Sequence, residues 1–219
     1  MKKLFIVANW KSNKGTSEAL EWLNKMALYR DIIISKNINI ILCPTFIFLP
    51  IIKDRINQLQ LPINLGAQSI SPFSSGKFTG EVNAGQLKEF ADYVIVGHSE
   101  RRQLGETDEM IFQQIELAKK NNINSIYCVP EVVNIPRSVD IVAYEPPSSI
   151  SPGEADTPEN AEKIIKSIKI ESGTHNAIYG GNVTSGNINS FTSMANIDGA
   201  LVGRASLDPL EFGRLIENA

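Results

Sequence analysis

Cysteine and histidine are scarce in this chain of 219 residues, which has two of each. Cys43 and Cys128 stand near the ends of apolar runs, so they read as buried thiols and fit a reducing compartment better than a disulfide framework. The His, Cys and carboxylate residues show no metal-ligand spacing, and no metal is expected. A field of one sign is also missing. Twenty-one Lys and Arg against 24 Asp and Glu give a net charge of −3, too balanced for the basic surface that binds nucleic acid. Long apolar runs are absent as well. The basic start Met1-Lys2-Lys3 is followed by only five apolar residues, Leu4 to Ala8, before Asn9. That is too short for a secretory signal, and no later stretch could span a membrane. The chain is therefore expected to be soluble and cytoplasmic. No low-complexity tract, linker or long repeat divides it, and residues 1–219 are expected to form one domain.

What is present is a regular alternation. Short, β-branched apolar runs occur at Leu4–Ala8, Ile38–Cys43, Ile63–Ala67, Tyr93–Val96, Ser125–Val129, Asp140–Tyr144, Ala177–Tyr179 and Gly199–Val202. Between most of them lie stretches with helical spacing: Ser17–Tyr29, Ile47–Leu59, Asn83–Glu89, Thr107–Asn121, Thr157–Ile170, Gly186–Met194 and Asp208–Glu217. Thr157-Pro158 and Asp208-Pro209 each pair an N-cap with Pro at the first helical position. Eight strands alternating with helices predict an α/β fold, a single parallel (β/α)8 barrel. One connection is too short for the pattern. The stretch from Val129 to Asp140 contains Pro130 and Pro136, so the helix between strands 5 and 6 is expected to be shortened or missing. The outer wall there is expected to need cover from neighbouring helices or a second chain.

In such a barrel the functional groups follow the C-terminal ends of the strands. After strand 1 come Asn9, Trp10 and Lys11. After strand 4 comes Gly97-His98-Ser99-Glu100-Arg101-Arg102, and after strand 6 Glu145-Pro146-Pro147. Gly180-Gly181-Asn182 and Gly203-Arg204-Ala205-Ser206 follow strands 7 and 8. Each alone has an ordinary structural reading: a solvated carboxylate, an exposed ammonium, tight glycine turns. Together they put a candidate base, an imidazole, an ammonium and two glycine-rich loops on one face.

Asn9-Trp10-Lys11, Phe78-Thr79-Gly80-Glu81, Gly97–Arg102, Ala143-Tyr144-Glu145-Pro146, Tyr179–Val183 and Leu201–Leu207 occur in one order along the chain. This ordered set resembles the signature stretches of the triosephosphate isomerase family, and the run from Gly66 to Glu131 is similar to that family almost throughout. The resemblance implies interconversion of dihydroxyacetone phosphate and glyceraldehyde 3-phosphate without a cofactor. It implies Glu145 as the base, His98 as a neutral electrophile, Lys11 and Asn9 as stabilisers of the enediolate, and Glu100 as a residue that positions Lys11 and His98. Arg102 reads as structural. It also implies phosphate held by Gly181, Asn182, Gly203 and Arg204, with Ser151 contributing from a closing loop after Glu145. A homodimer is implied too, formed through the loop Gln68–Val82, with Ile70, Phe73 and Phe78 expected as its exposed apolar residues.

Several positions depart from the family pattern. Ser148 stands where Trp is usual, Ser151 where Gly is usual and Pro152 where Thr is usual. Asn182 replaces a usual Ser, Arg204 a small residue, and Pro130 a Gly. Two alternatives follow. One is another phosphate-binding barrel enzyme, such as an epimerase with metal ligands or an aldolase with a strand-borne Lys; neither feature is found. The other is a weakly active barrel with a binding or scaffold role.

Overall fold

The computed structural model describes residues 2–133, 135–147 and 155–219. Among these residues eight parallel strands pair in chain order and close on themselves, with β8 returning to β1. They are β1 (Leu4–Asn9), β2 (Ile38–Cys43), β3 (Ile63–Ala67), β4 (Tyr93–Val96), β5 (Asn124–Val129), β6 (Ile141–Tyr144), β7 (Ala177–Tyr179) and β8 (Gly199–Val202). The helices are α1 (Thr16–Met26), α2 (Arg30–Ser35), α3 (Leu49–Leu59), α4 (Ala84–Lys88), α5 (Ser99–Gln103), α6 (Asp108–Lys120), α7 (Pro158–Ser172), α8 (Ile188–Thr192) and α9 (Pro209–Asn218). The barrel expected from the alternation is the observed architecture.

The caps form as the sequence suggests. Thr157 Oγ1 accepts from the Asn160 amide at 3.2 Å, and Asp208 Oδ1 from the Leu210 amide at 2.9 Å. α7 then buries Ala161, Ile165 and Ile168 at helical spacing and stops at Gly173 in the left-handed region. Two helices were not expected. The candidate Ser17–Tyr29 ends its α-helical part at Met26, and after a short 3-10 turn the chain starts α2. α5 occupies residues read as a loop.

The strands sort their side chains with a period of two. Phe5 and Val7 of β1, Ile126 and Cys128 of β5, Ile141 and Ala143 of β6, Ile178 of β7 and Leu201 of β8 fill the barrel interior as one cluster. Their neighbours in sequence, such as Leu4, Ile6, Ala8, Val142 and Ala200, face the helices in a second, larger cluster.

Between β5 and β6 no helix occurs among the described residues, as expected. The uncovered wall, however, is not found. The outward residues Tyr127, Val129, Val142 and Tyr144 are all buried. The connecting segment supplies its own apolar cover, with Ile135 and Val139 buried and Val132 and Val133 packed against the same cluster. Burial of aliphatic side chains here replaces the stripe a helix would have presented.

Candidate active site

The period of two carries past the strand ends and builds the site. One step beyond Val7 the inward position is Asn9, and one step beyond Ala143 it is Glu145. Beyond Ile178 and Leu201 the same positions are Gly180 and Gly203. Glu145 is thereby held over the barrel mouth, 6% exposed, its amide bonded to the Val129 carbonyl at 2.8 Å. Gly180 makes room for it: a Cβ there would stand 3.0 Å from Glu145 Cγ and 3.2 Å from the Tyr144 carbonyl oxygen.

Both carboxylate oxygens of Glu145 accept hydrogen bonds. His98 Nε2 lies 3.1 Å from Oε1, and the Ser99 amide donates to Oε2 at 3.1 Å. Burial raises the Glu145 carboxyl above the usual carboxylate range. The imidazole, the Ser99 amide and the Lys11 ammonium each pull it part of the way back. Below it the buried Cys128 thiol is pushed up, first by burial and then by the neighbouring Glu145 charge.

α5 explains how His98 is set. Gly97 turns the chain at φ +67° in a place where a Cβ would approach Tyr127 Cε2 to 2.9 Å, so only glycine makes the turn without strain. His98 follows as the N-cap, and its Nδ1 accepts from the Glu100 amide at 3.2 Å. An Nδ1 that accepts a hydrogen bond carries no proton, which puts the proton of a neutral imidazole on Nε2, facing Glu145. Two of the helix's unpaired amides, Ser99 and Glu100, thus end on Glu145 and His98. Arg102 ties the helix down by bonds to the Gly97 carbonyl at 2.9 Å, Asp108 at 2.6 Å and Tyr127 Oη at 3.3 Å.

Lys11 lies on the other side of the mouth. Its backbone is left-handed at φ +53°, a conformation that costs a non-glycine residue about 1–2 kcal/mol. Its amide donates to Asn9 Oδ1 at 3.0 Å, and its carbonyl accepts from Gln68 Nε2 at 2.8 Å. Those bonds hold the strained backbone. They also leave the Asn9 Nδ2 group with no acceptor among the described residues. Lys11 Nζ bonds Glu100 Oε1 at 2.6 Å. Both side chains are about half exposed, so the pair adds little stability and its effect is to aim the ammonium. Glu100 acts on His98 through its backbone; its carboxylate is 3.8 Å from Nδ1.

The glycine-rich loops complete the mouth. Gly181 is buried and Asn182 exposed, with the Asn182 carbonyl accepting from Asn187 Nδ2 at 3.0 Å. A Cβ built on Gly203 would stand 3.6 Å from Lys11 Cε, so the loop after β8 adjoins the ammonium. Arg204 opens a 3-10 turn, Arg204–Ser206, and is exposed. Ser151 and the departures at Ser148 and Pro152 lie outside the described residues. Where the chain is described again, the Asp156 amide donates to Tyr179 Oη at 2.8 Å. The structure gives a place at the site to Ser99, Gln68, Cys128 and Gly180, which the sequence named without such a role. Glycine in the inward row, read by counting from Ile178, was a usable signal for Gly180. Nothing in the sequence marked Gln68 as a partner of Lys11. Among the described residues no group of three or more His, Cys, Asp and Glu is placed to hold a metal.

A family model for triosephosphate isomerase matches residues 4–219. This chain belongs to the triosephosphate isomerase family. A triosephosphate isomerase from Mesomycoplasma hyopneumoniae (strain 232) is 37% identical, with the alignment covering all of both chains. The enzymes of that name from Endomicrobium trichonymphae and Clostridium beijerinckii are 34% and 33% identical, each over 99% of both chains. The alignment with the Mesomycoplasma enzyme has 246 positions against 219 residues here, so this chain lacks stretches its relative has. Membership in the triosephosphate isomerase family sets aside the epimerase and aldolase alternatives.

Proposed function

We propose that this protein is a triose-phosphate isomerase that works by proton transfer through an enediolate, with residues 1–219 acting as one barrel unit. The observation that carries the mechanism is the pairing of Glu145 with the Nε2 of His98 at the barrel mouth. In the structure these two groups satisfy each other. A bound triose phosphate takes over both: the carboxylate turns to the carbon beside the carbonyl, and the Nε2 proton turns to the carbonyl oxygen. Glu145 removes the carbon-bound proton and returns it to the neighbouring carbon. His98 gives its proton to one oxygen and takes one from the other, so atoms and charge balance without a cofactor. Lys11 and the Asn9 amide face the oxygens where negative charge develops. A coupled assay of glyceraldehyde 3-phosphate isomerisation tests this reading, and absence of turnover would refute it and favour the scaffold alternative.

Phosphate is assigned to the amides of Gly181, Asn182, Gly203 and Arg204, with Ser151 on the closing loop. The exposed Arg204 guanidinium, which has no partner among the described residues, adds a charge-assisted contact. Arg204→Gly is expected to raise both KM and the inhibition constant of inorganic phosphate by about tenfold. Unchanged constants would leave Arg204 a solvent-facing cation.

The protein is further assigned as a cytoplasmic homodimer joined through Gln68–Val82. No described helix is long and apolar enough to cross a membrane, and Cys43 and Cys128 are buried free thiols, as expected. Ile70 is not one of the exposed contacts the sequence suggested. It is 2% exposed, and its carbonyl accepts from Gln114 Nε2 at 2.8 Å. Phe73 and Phe78 remain 42% and 40% exposed and stack with centroids 4.4 Å apart. The root of the same loop, Gln68, holds the Lys11 carbonyl, so docking of a second copy on the aromatic pair would bear on Lys11. Sedimentation is expected to give a dimer, with activity lost on dilution to monomer; a fully active monomer would refute the assignment.

A further inference from the structure

Two buried indoles from separate parts of the chain meet on one carbonyl of the loop after β8. Trp22, on α1, donates from Nε1 to the Ser206 carbonyl oxygen at 2.9 Å, and Trp10 donates from its own Nε1 to the same oxygen at 3.3 Å. The rings pack edge to face at 5.1 Å, and Trp22 packs on Phe212 at 5.5 Å. A carbonyl oxygen has two lone pairs, and here both are used, which fixes the plane of the peptide that ends the 3-10 turn. The next carbonyl, Leu207, accepts from Lys14 Nζ at 2.7 Å, and that ammonium lies 5.0 Å from the Trp10 ring centroid. Inside the turn, Ser206 donates from both Oγ and N to the Gly203 carbonyl, at 2.7 and 3.0 Å. The amides of Gly203, Arg204 and Ala205 have no acceptor among the described residues. Trp10 sits between Asn9 and Lys11 in sequence, so the clamp joins the ammonium's loop to the turn that carries these amides.

We propose that Trp22, acting through the Ser206 carbonyl, is a positioning residue that orients the loop after β8 for the substrate phosphate. It touches none of the groups assigned to substrate, so its effect is on binding and not on proton transfer. The inference rests on the phosphate site assigned above. A buried indole N–H needs an acceptor in any case, so the positioning role is separated from packing by whether phosphate affinity follows the loss of this bond.

Trp22→Phe keeps a ring against Trp10 and Phe212 and removes the donor. Isothermal titration with inorganic phosphate reads the loop without turnover. The dissociation constant and KM are both expected to rise about fivefold, the loss of one hydrogen bond, while kcat stays within about twofold. Phe212→Leu, which loosens the same packing without touching the loop's hydrogen bonds, should lower Tm and leave both constants in place. If Trp22→Phe does not fold, replacing Trp22 with 3-benzothienylalanine, which keeps the two-ring shape and lacks the N–H, carries the test with the same loss of about fivefold. Unchanged phosphate affinity in the folded variant overturns the inference, whatever its Tm. A wild-type protein that binds phosphate and lacks turnover would sink the isomerase reading alone, since the titration still reports on Trp22.

Discussion

Glu145→Gln is expected to lower kcat at least about a thousandfold, the upper range for loss of a positioned base. The carboxamide has nearly the same shape, so affinity for inorganic phosphate should hardly move. It cannot reproduce both bonds, however. The Ser99 amide and His98 Nε2 each need an acceptor, and Gln offers one oxygen. The wild-type pH profile provides a second reading. Burial raises the Glu145 carboxyl, and catalysis needs the carboxylate. The acid limb of kcat/KM is therefore expected above the ordinary carboxylate value of 4.5, with activity lost as pH falls through it. Near wild-type turnover in the Gln variant would remove Glu145 from the role of base.

Lys11→Met is expected to cost about 10²–10³ in kcat/KM, the scale seen when one preorganised stabiliser of a developing oxyanion is removed. Its signature differs from that of Glu145→Gln. The Lys11 charge pulls the Glu145 carboxyl down, so its removal should move the acid limb to higher pH as well as lower its height. The Lys11–Glu100 pair is half exposed, and Tm should change little. A loss below about tenfold with an unmoved acid limb would show that Lys11 is peripheral to the chemistry.

The barrel was legible in the sequence because its rules are local. Apolar runs with a period of two, helical stripes, and N-caps at Thr157 and Asp208 all act within a few residues. The same counting, carried one step past Ala143, places Glu145 on the inward face. What escaped was set by distant partners. α5 is a short polar segment, and two of its first amides find acceptors in His98 and, 46 residues away from Ser99, in Glu145. α2 carries the run Ile32-Ile33-Ile34, whose β-branched side chains favour strand over helix. It is helical because tertiary packing buries Ile33 while leaving Ile34 57% exposed. Lys11 offers no local sign of a left-handed backbone; Gln68, 57 residues on, helps to hold it. Ile70, read with Phe73 and Phe78 as an exposed apolar residue of the loop, packs instead into the main core, where Gln114 of α6 binds its carbonyl.

The segment between β5 and β6 has a mechanical consequence. β6 begins opposite Ile126, three residues back from the end of β5, so the chain must return about 10 Å along the barrel and step across to the next strand. Residues 130–140 are all it has for that journey, fewer than the dozen or more that a helical crossover usually takes. Val132, Val133, Ile135 and Val139 therefore serve as wall and tether at once. Elsewhere a connection can lose a loop residue and keep its helix on the sheet. Here a deletion would remove part of the wall itself, beside the strand that leads into Glu145.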